Sequence, residues 1–229
     1  MWLFFAAFGA VLFRVLPTSP SPCRGDDCML ELPLLIATVF GMLFLTFLVL
    51  DAYRLCMYWI RGLNTQTIYW DNPKIDETAR TLNIPKSCAL SWNKVNLIAE
   101  RTSEISNLIY YPFAIIILLL ISRSSYFDNW GLPQSIAIVI LMNISFIIIS
   151  GLKLHNEAIK IRKECLLILQ QERIANKDLE KQLQILIEQI NNIKVGAFQP
   201  LFEQPIIRAT LLLLGAIGLS LSEYAMIFN

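Results

Sequence analysis

Three long apolar stretches organise the sequence. They run from Leu32 to Leu50, from Leu132 to Leu152 and from Ala209 to Ile227, and Glu223 is the single charged residue among them. An α-helix rises about 1.5 Å per residue, so roughly 20 apolar residues cross a hydrocarbon core of about 30 Å. Each stretch therefore predicts a transmembrane helix.

Two shorter apolar stretches bring the expected number of spans to five. One runs from Asn107 to Ser122, with Tyr110 and Tyr111 at the expected level of the lipid headgroups. The other, Met1 to Leu16, carries Arg14 near its end and fits a short span, an interfacial segment or a signal peptide. A signal peptide is disfavoured because no Lys or Arg precedes the apolar run.

Lysine and arginine crowd into the two long polar segments. Residues 51–106 hold seven of the 19 cations and residues 153–208 hold nine, which leaves Arg14, Arg24 and Arg123 for the opposite side. The positive-inside rule places both segments in the cytoplasm. With five spans, the N-terminus is then cytoplasmic and the C-terminus lies outside.

These patterns predict an all-α, polytopic membrane protein with a defined order of segments. Residues 1–50 supply two membrane helices joined by an external loop at 17–31, and residues 51–106 form a cytoplasmic connector. Residues 107–152 form a transmembrane helical hairpin, residues 153–205 a cytoplasmic antiparallel helical hairpin, and residues 206–229 the last membrane helix.

The strongest helical pattern outside the bilayer is an apolar seam in the second cytoplasmic segment. Its members follow one another at steps of four, three, four and three residues: Leu179, Leu183, Leu186, Ile190 and Ile193. Asn176 and Glu172 break this register on the N-terminal side, and Asp178 or Asn176 is a candidate N-cap. The seam either packs against the first arm of its own hairpin or contacts a protein partner or a second copy.

Shorter signals mark the flanks of this hairpin. Residues 75–82 and 95–108 predict helices in the connector, the second continuing into the span that follows. Gly196 is expected to end the second arm. Phe198, Pro200, Phe202 and Pro205 then predict a non-helical or interfacial return to the membrane.

The chain offers few residues for catalysis. His155 is the single histidine, and it is expected at the headgroup level rather than in a catalytic role. The sequence has no nucleophile elbow, zinc-binding helix motif or phosphate-binding glycine loop. We therefore expect no catalytic residues, no metal ligands and no cofactor, and the formal charge of +1 provides no basic field for nucleic acid.

Asn143 is a polar residue near the middle of a predicted span. Hydrogen bonding between helices is the simpler interpretation, and a polar lining for a pore is the alternative.

Five cysteines fall into two groups. Cys23 and Cys28 lie in the predicted external loop, where they form a small disulfide ring or remain free thiols. Cys56, Cys88 and Cys165 lie on the predicted cytoplasmic side without a zinc-site pattern, and are expected to be reduced.

Two stretches resemble segments of uncharacterised bacterial integral membrane proteins. The first contains Leu97-Ile98-Ala99-Glu100-Arg101-Thr102, continuing to Leu108-Ile109-Tyr110-Tyr111-Pro112-Phe113, Ser122-Arg123-Ser124 and Phe127-Asp128-Asn129-Trp130. The second contains Gly196-Ala197-Phe198-Gln199-Pro200, Gln204-Pro205 and Arg208-Ala209. The resemblance implies a bacterial inner membrane and no activity.

Glu100 and Arg101 are a candidate functional pair on the predicted cytoplasmic helix, although a solvated pair is the simpler interpretation.

The sequence leads to two functional hypotheses. The first is a non-enzymatic inner-membrane protein whose cytoplasmic hairpin binds a protein partner or its own copy and couples that contact to the membrane helices. The second is an oligomeric pore or membrane effector triggered from the cytoplasm. In both, the partners are the lipid bilayer and protein, and an intramembrane enzyme is disfavoured.

Overall fold

The computed structural model describes residues 28–65, 73–122 and 134–215, and every regular element in these ranges is a helix. This confirms the all-α class. The helices are α1 (Cys28–Thr65), α2 (Pro73–Leu82), α3 (Lys86–Asn107), α4 (Tyr110–Ser122), α5 (Gln134–Ala175), α6 (Glu180–Asn192) and α7 (Pro205–Gly215). Short 3₁₀ turns lie at Lys177–Leu179, Gly196–Phe198 and Leu201–Glu203.

Three helical segments within the described ranges are long and apolar enough to cross a membrane. They are Ile36–Leu63, Lys86–Ile121 and Ala137–Ala175, and they contain the apolar cores of three of the five predicted spans. The predicted span at 1–16 lies outside the described residues. The predicted last span is described only to Gly215, as the shorter apolar helix Pro205–Gly215.

The connector begins inside α1, which runs to Thr65, and contains α2, whose boundaries follow from local chemistry. Pro73 starts α2, a position where a missing N–H costs no helical hydrogen bond. Asn83 ends it with φ of 49°, the N–H of Asn83 donating to Arg80 O at 3.3 Å and that of Ile84 to Ala79 O at 3.0 Å. This pair of bonds is a Schellman motif, which satisfies the last carbonyls of the helix.

The helix predicted over 95–108 begins earlier and ends in a break. It starts at Lys86 as α3, and Leu108–Ile109 form a turn before α4. Pro112 has no N–H to donate to the carbonyl of Leu108 four residues earlier, and its ring crowds that carbonyl. The continuous helix that the sequence predicts is therefore interrupted at this position.

The described chain divides into two compact units. Of the described residues, the first unit, here the apolar unit, contains 28–51, 108–122, 134–149 and 205–215. The second, here the charged unit, contains 52–65, 73–107 and 150–204. Large side chains fill the interior of each. In the apolar unit they include Met42, Phe113, Ile116 and Ile147; in the charged unit they include Ile60, Ile98, Leu154, Leu169, Leu183 and Ile190.

Within the charged unit, α5 and α6 contact each other through long polar side chains. Arg173 donates to Gln184 across the turn, and Arg162 donates to the carbonyl of Asn191 further along.

Of the two candidate N-caps, Asn176 occupies the N-cap of the 3₁₀ turn Lys177–Leu179 but its side chain does not cap that turn, and Asp178 lies inside the turn. Leu179 occupies the N-cap of α6 without a side-chain bond, and Asn176 Nδ2 donates instead to Glu172 Oε2 at 3.2 Å.

Candidate functional site

The charged unit holds a buried polar cluster around the backbone of Ala197. The N–H of Ala197 donates to Thr102 Oγ1 at 2.9 Å, and its carbonyl oxygen lies 2.7 Å from His155 Nδ1. Thr102 belongs to α3 and His155 to α5, so one residue in a short turn is bonded to two helices. We call Thr102, His155, Gly196, Ala197 and Gln204 the Ala197 joint.

Position 196 of the joint requires glycine because no side chain fits there. Its φ is +60°, and a Cβ atom would lie 2.3 Å from Thr102 Oγ1 and 2.5 Å from the carbonyl oxygen of Ala99. Contacts this short are not found for real Cβ atoms, and a positive φ favours glycine. Glycine therefore allows the turn to lie directly against α3.

Gln204 completes the joint by contacting the imidazole ring. Its Nε2 lies 2.6 Å from His155 Nδ1 and 3.4 Å from the carbonyl oxygen of Gln199. A carbonyl only accepts hydrogen bonds, so the tautomer protonated at Nδ1 satisfies Ala197, and the Nε2 of Gln204 donates to the carbonyl oxygen of Gln199. His155 is 8% exposed, which places it in the interior of the unit.

Arg162 holds the segment that leads into the joint. Its guanidinium donates to the carbonyl oxygens of Asn191 and Ile193, the latter at 3.4 Å, and lies 5.5 Å from the centre of the Phe198 ring. The last carbonyls of a helix lack partners within the helix, and a planar cation with several donors satisfies two of them. The C-terminal end of α6 is thereby tied to α5.

In the joint, the Thr102 hydroxyl and His155 Nδ1 contact backbone atoms of Ala197, and Gln204 Nε2 contacts His155 Nδ1 and the carbonyl oxygen of Gln199. These contacts position the turn against α3 and α5. Among the described residues, no group of three or more His, Cys, Asp or Glu could hold a metal ion. The arrangement can fix the path of the chain between α6 and α7.

The apolar seam lies mostly inside the charged unit. Leu183 and Ile190 have no exposed surface, Leu186 is 2% exposed, and Leu179 and Ile193 are half-buried. A side chain without exposed surface cannot contact a partner unless the unit opens. This burial supports the interpretation in which the seam packs within its own chain, and contact with a partner stays a prediction.

Glu100 and Arg101 lie on the exposed face of α3. Arg101 donates to Glu104 at 3.2 Å rather than pairing with Glu100, and both partners are more than half exposed. Glu100 lines an open groove of about 520 Å³ together with Asn96, Ser103, Glu104 and the segment after α6 that contains Lys194. Their functional role stays a prediction.

Asn143 is buried in the apolar unit at 1% exposure. Its Nδ2 donates to the carbonyl oxygen of Val139 in the same helix at 2.7 Å. This bond lies within one helix, so the predicted hydrogen bond between helices and the alternative of a pore lining both stay predictions.

The described cysteines Cys56, Cys88 and Cys165 are buried free thiols. The predicted disulfide between Cys23 and Cys28 involves Cys23 and the side chain of Cys28, which lie outside the described part of the chain.

Sequence reasoning missed the joint, although one signal for it was present. His155 is expected at the headgroups but is buried, and Thr102 receives no role from its local pattern. Thr102 and Ala197 do lie in the two stretches that carry the resemblance to bacterial membrane proteins, and the structure brings those stretches into contact. That both stretches carry the same resemblance could have suggested that they contact each other.

Comparison of the chain with protein-family models, with curated proteins and with solved structures finds no match. The function must therefore be argued from the chain itself.

Proposed function

We propose that this chain is a non-enzymatic, multi-pass protein of a bacterial inner membrane, with a cytoplasmic N-terminus, a periplasmic C-terminus and five membrane helices. Three apolar helices long enough to cross a membrane support the membrane placement. The concentration of Lys and Arg in residues 51–106 and 153–208 supports a cytoplasmic charged unit. In this proposal, α5 beyond the bilayer and α6 form a cytoplasmic helical hairpin that binds a protein partner or a second copy.

One observation carries the interaction part of the proposal. Large apolar side chains remain exposed on the charged unit: Ile174 is 76% exposed, Leu167 is 56% exposed and Ile185 is 55% exposed. Leu167 and Ile174 are seven residues apart on α5, so they lie on one face of the helix, and Ile185 belongs to α6. We call these three residues the outer face of the hairpin. Apolar surface that the chain leaves uncovered is typical of a protein contact.

The joint supports the coupling part of the proposal. Residues 193–204 connect α6 to α7 along the chain, and Ala197 in that segment is bonded to α3 and α5. We expect a partner that shifts α6 to strain these bonds or to move α3 and α5 with it. Contact at the hairpin would in this way be transmitted to the membrane helices.

The test replaces the outer face by charge in the full chain. Leu167→Asp combined with Ile174→Asp should reduce the mass of the complex extracted into lipid nanodiscs, because two carboxylates cannot be buried in an apolar contact without a large penalty. Mass photometry measures the complex, and mass spectrometry identifies its components. Gln189→Asp, an exposed residue on α6, adds charge outside the outer face and is the matched control.

The outcomes separate cleanly. Loss of the complex in the double variant with retention in the control supports the proposal. A double variant with the same mass and components as the wild type would refute it, as would a wild-type chain that is monomeric and carries no partner. Substitution of Leu183 or Ile190 is not informative here, because a charge at either buried site would unfold the unit.

A further inference from the structure

The turn at Leu201–Glu203 presents apolar side chains to the outside. Phe202 is 84% exposed and Leu201 is 45% exposed. Phe198, only four residues earlier, is 5% exposed and packs against the guanidinium of Arg162. The sequence pattern does not distinguish the two phenylalanines. In the structure Phe198 lies in the interior and Phe202 is exposed.

The position of this turn along the chain indicates what covers it. Phe202 precedes Pro205, the first residue of the apolar helix α7, by three residues. Three residues of fully extended chain span at most about 11 Å, so Phe202 stays close to the place where α7 starts. If α7 enters a bilayer there, the side chain lies within reach of the headgroup region.

The chemistry of the flanking residues fits a lipid surface. Leu211 and Leu212 of α7 are more than half exposed and continue the apolar character of the turn, and Arg208 between them and the turn is exposed. An arginine at the membrane boundary attracts the phosphate of anionic lipids, while aromatic and leucine side chains favour the boundary between headgroups and acyl chains. Gln204, which follows the turn, contacts His155 and donates to the carbonyl oxygen of Gln199.

We propose that Leu201 and Phe202 form an interfacial lipid anchor, inserted into the membrane leaflet that α7 enters. The Ala197 joint then holds Gly196, Ala197 and Gln204 on protein, and the anchor holds Leu201 and Phe202 between them on lipid. This inference rests on the membrane placement given above as part of the proposed function.

Photocrosslinking of the full chain tests the anchor. The photoreactive residue p-benzoylphenylalanine replaces Phe202, Leu212 or Ile174 in separate variants, reconstituted into vesicles of phosphatidylethanolamine and phosphatidylglycerol. All three side chains are exposed by more than half in the chain, so the variants should fold alike. Mass spectrometry of the labelled peptide then reports whether the adduct is phospholipid or protein.

The three positions answer different questions. We expect phospholipid adducts at positions 202 and 212, each at several times the fraction found at position 174 on the outer face of the hairpin. Phospholipid at position 212 but protein adducts or none at position 202 would overturn the anchor and leave the membrane placement intact. No phospholipid at position 212 would instead overturn the membrane placement, and the anchor with it.

Discussion

In the apolar unit, the polar side chains of Thr46, Asn143 and Thr210 each donate to the carbonyl oxygen four residues earlier in the same helix. In the charged unit, polar side chains also reach distant segments. Thr102 donates to Ile98 in its own helix and accepts from Ala197, 95 residues away, and His155 bonds a carbonyl 42 residues away. Thus these polar side chains of the apolar unit form hydrogen bonds within their own helix, whereas Thr102 and His155 of the charged unit also form hydrogen bonds with a distant segment.

On the proposed membrane placement, this difference follows from what surrounds each unit. A helix in hydrocarbon has no water to satisfy a hydroxyl or amide, and its own backbone carbonyls supply acceptors without any tertiary fit. Such bonds make a polar residue tolerable, but they do not select a particular packing. The contacts in the charged unit are satisfied in one arrangement of α3, α5 and the Gly196–Phe198 turn, so they specify that arrangement.

The largest expected effect comes from a substitution in the charged unit at the place where the Gly196 turn lies closest to α3. Gly196→Ala adds a Cβ atom 2.3 Å from Thr102 Oγ1 at a position with φ of +60°. The left-handed backbone costs an alanine about 1–2 kcal/mol, and the steric overlap adds about 1–3 kcal/mol. Denaturant unfolding in detergent micelles should show a loss of about 2–5 kcal/mol in the free energy of unfolding.

Gly62→Ala is the matched control for this change. It lies in α1 within the charged unit, and a Cβ atom there meets nothing within 4 Å. Alanine inside a helix is favoured over glycine by about 0.5–1 kcal/mol, so this variant should be slightly stabilised. Equal destabilisation of the two variants would contradict the close approach at Gly196.

A middle-sized effect compares one threonine in each unit. Thr102→Val keeps the shape of the side chain but leaves the buried N–H of Ala197 without its acceptor, which should cost about 1–3 kcal/mol. Thr46→Val removes only a bond to its own helix, from a carbonyl that already takes part in the helix, and should change stability by less than about 0.5 kcal/mol.

The free energies of unfolding of both valine variants and of Thr102→Ser, which keeps the hydroxyl, measure this comparison. If Thr46→Val lowers the free energy of unfolding as much as Thr102→Val does, local and tertiary hydrogen bonds contribute equally to stability. That result would contradict the contrast between the two units.

The smallest effect concerns an exposed ion pair between α2 and α3. The ammonium of Lys86 lies 2.8 Å from Asp76 Oδ1, and this contact lowers the pKa of the Asp76 carboxyl. A lowered pKa in the folded state stabilises the fold above the ordinary carboxyl pKa of about 4, and the contribution is lost as the pH falls through the lowered value.

Lys86→Gln should therefore raise the pKa of Asp76 toward its ordinary value, as measured by NMR titration of the carboxyl carbon. Stability near neutral pH should hardly change, because exposed pairs contribute little. An unchanged Asp76 pKa in this variant would show that the pair does not form in solution.

Much of the fold could be predicted from local patterns because burial in helices leaves a periodic trace. The apolar cores of three spans, the helix around Ile75 and the break after Ala175 were all predicted from hydropathy and turn residues, and the structure contains them. The sequence analysis does not predict the break at Leu108–Ile109, because the apolar run suggests a continuous helix. Pro112 is the local signal for the break, since proline lacks the N–H that a continuous helix needs.

The candidate site could not be predicted in the same way. The pattern of Leu183 and Ile190 predicts an apolar face, but it does not say whether that face meets the same chain or another molecule. From its neighbours in the sequence, His155 is expected at the membrane boundary. Its contacts with Ala197 and Gln204 join residues that are far apart in the sequence, so the local pattern does not reveal them. Long-range contacts leave no periodic trace, because each depends on the path of the whole chain.

The amino-acid order alone determined that the chain is helical, that its apolar stretches suit a membrane and that its cations lie in two segments, because each property is a sum over neighbouring residues. Only the tertiary structure decided that the apolar seam is covered, that Phe198 is inside while Phe202 is outside, and that Ala197 is held between Thr102 and His155. Burial and hydrogen bonding between distant residues exist only once the helices have packed, which is why they require three-dimensional information.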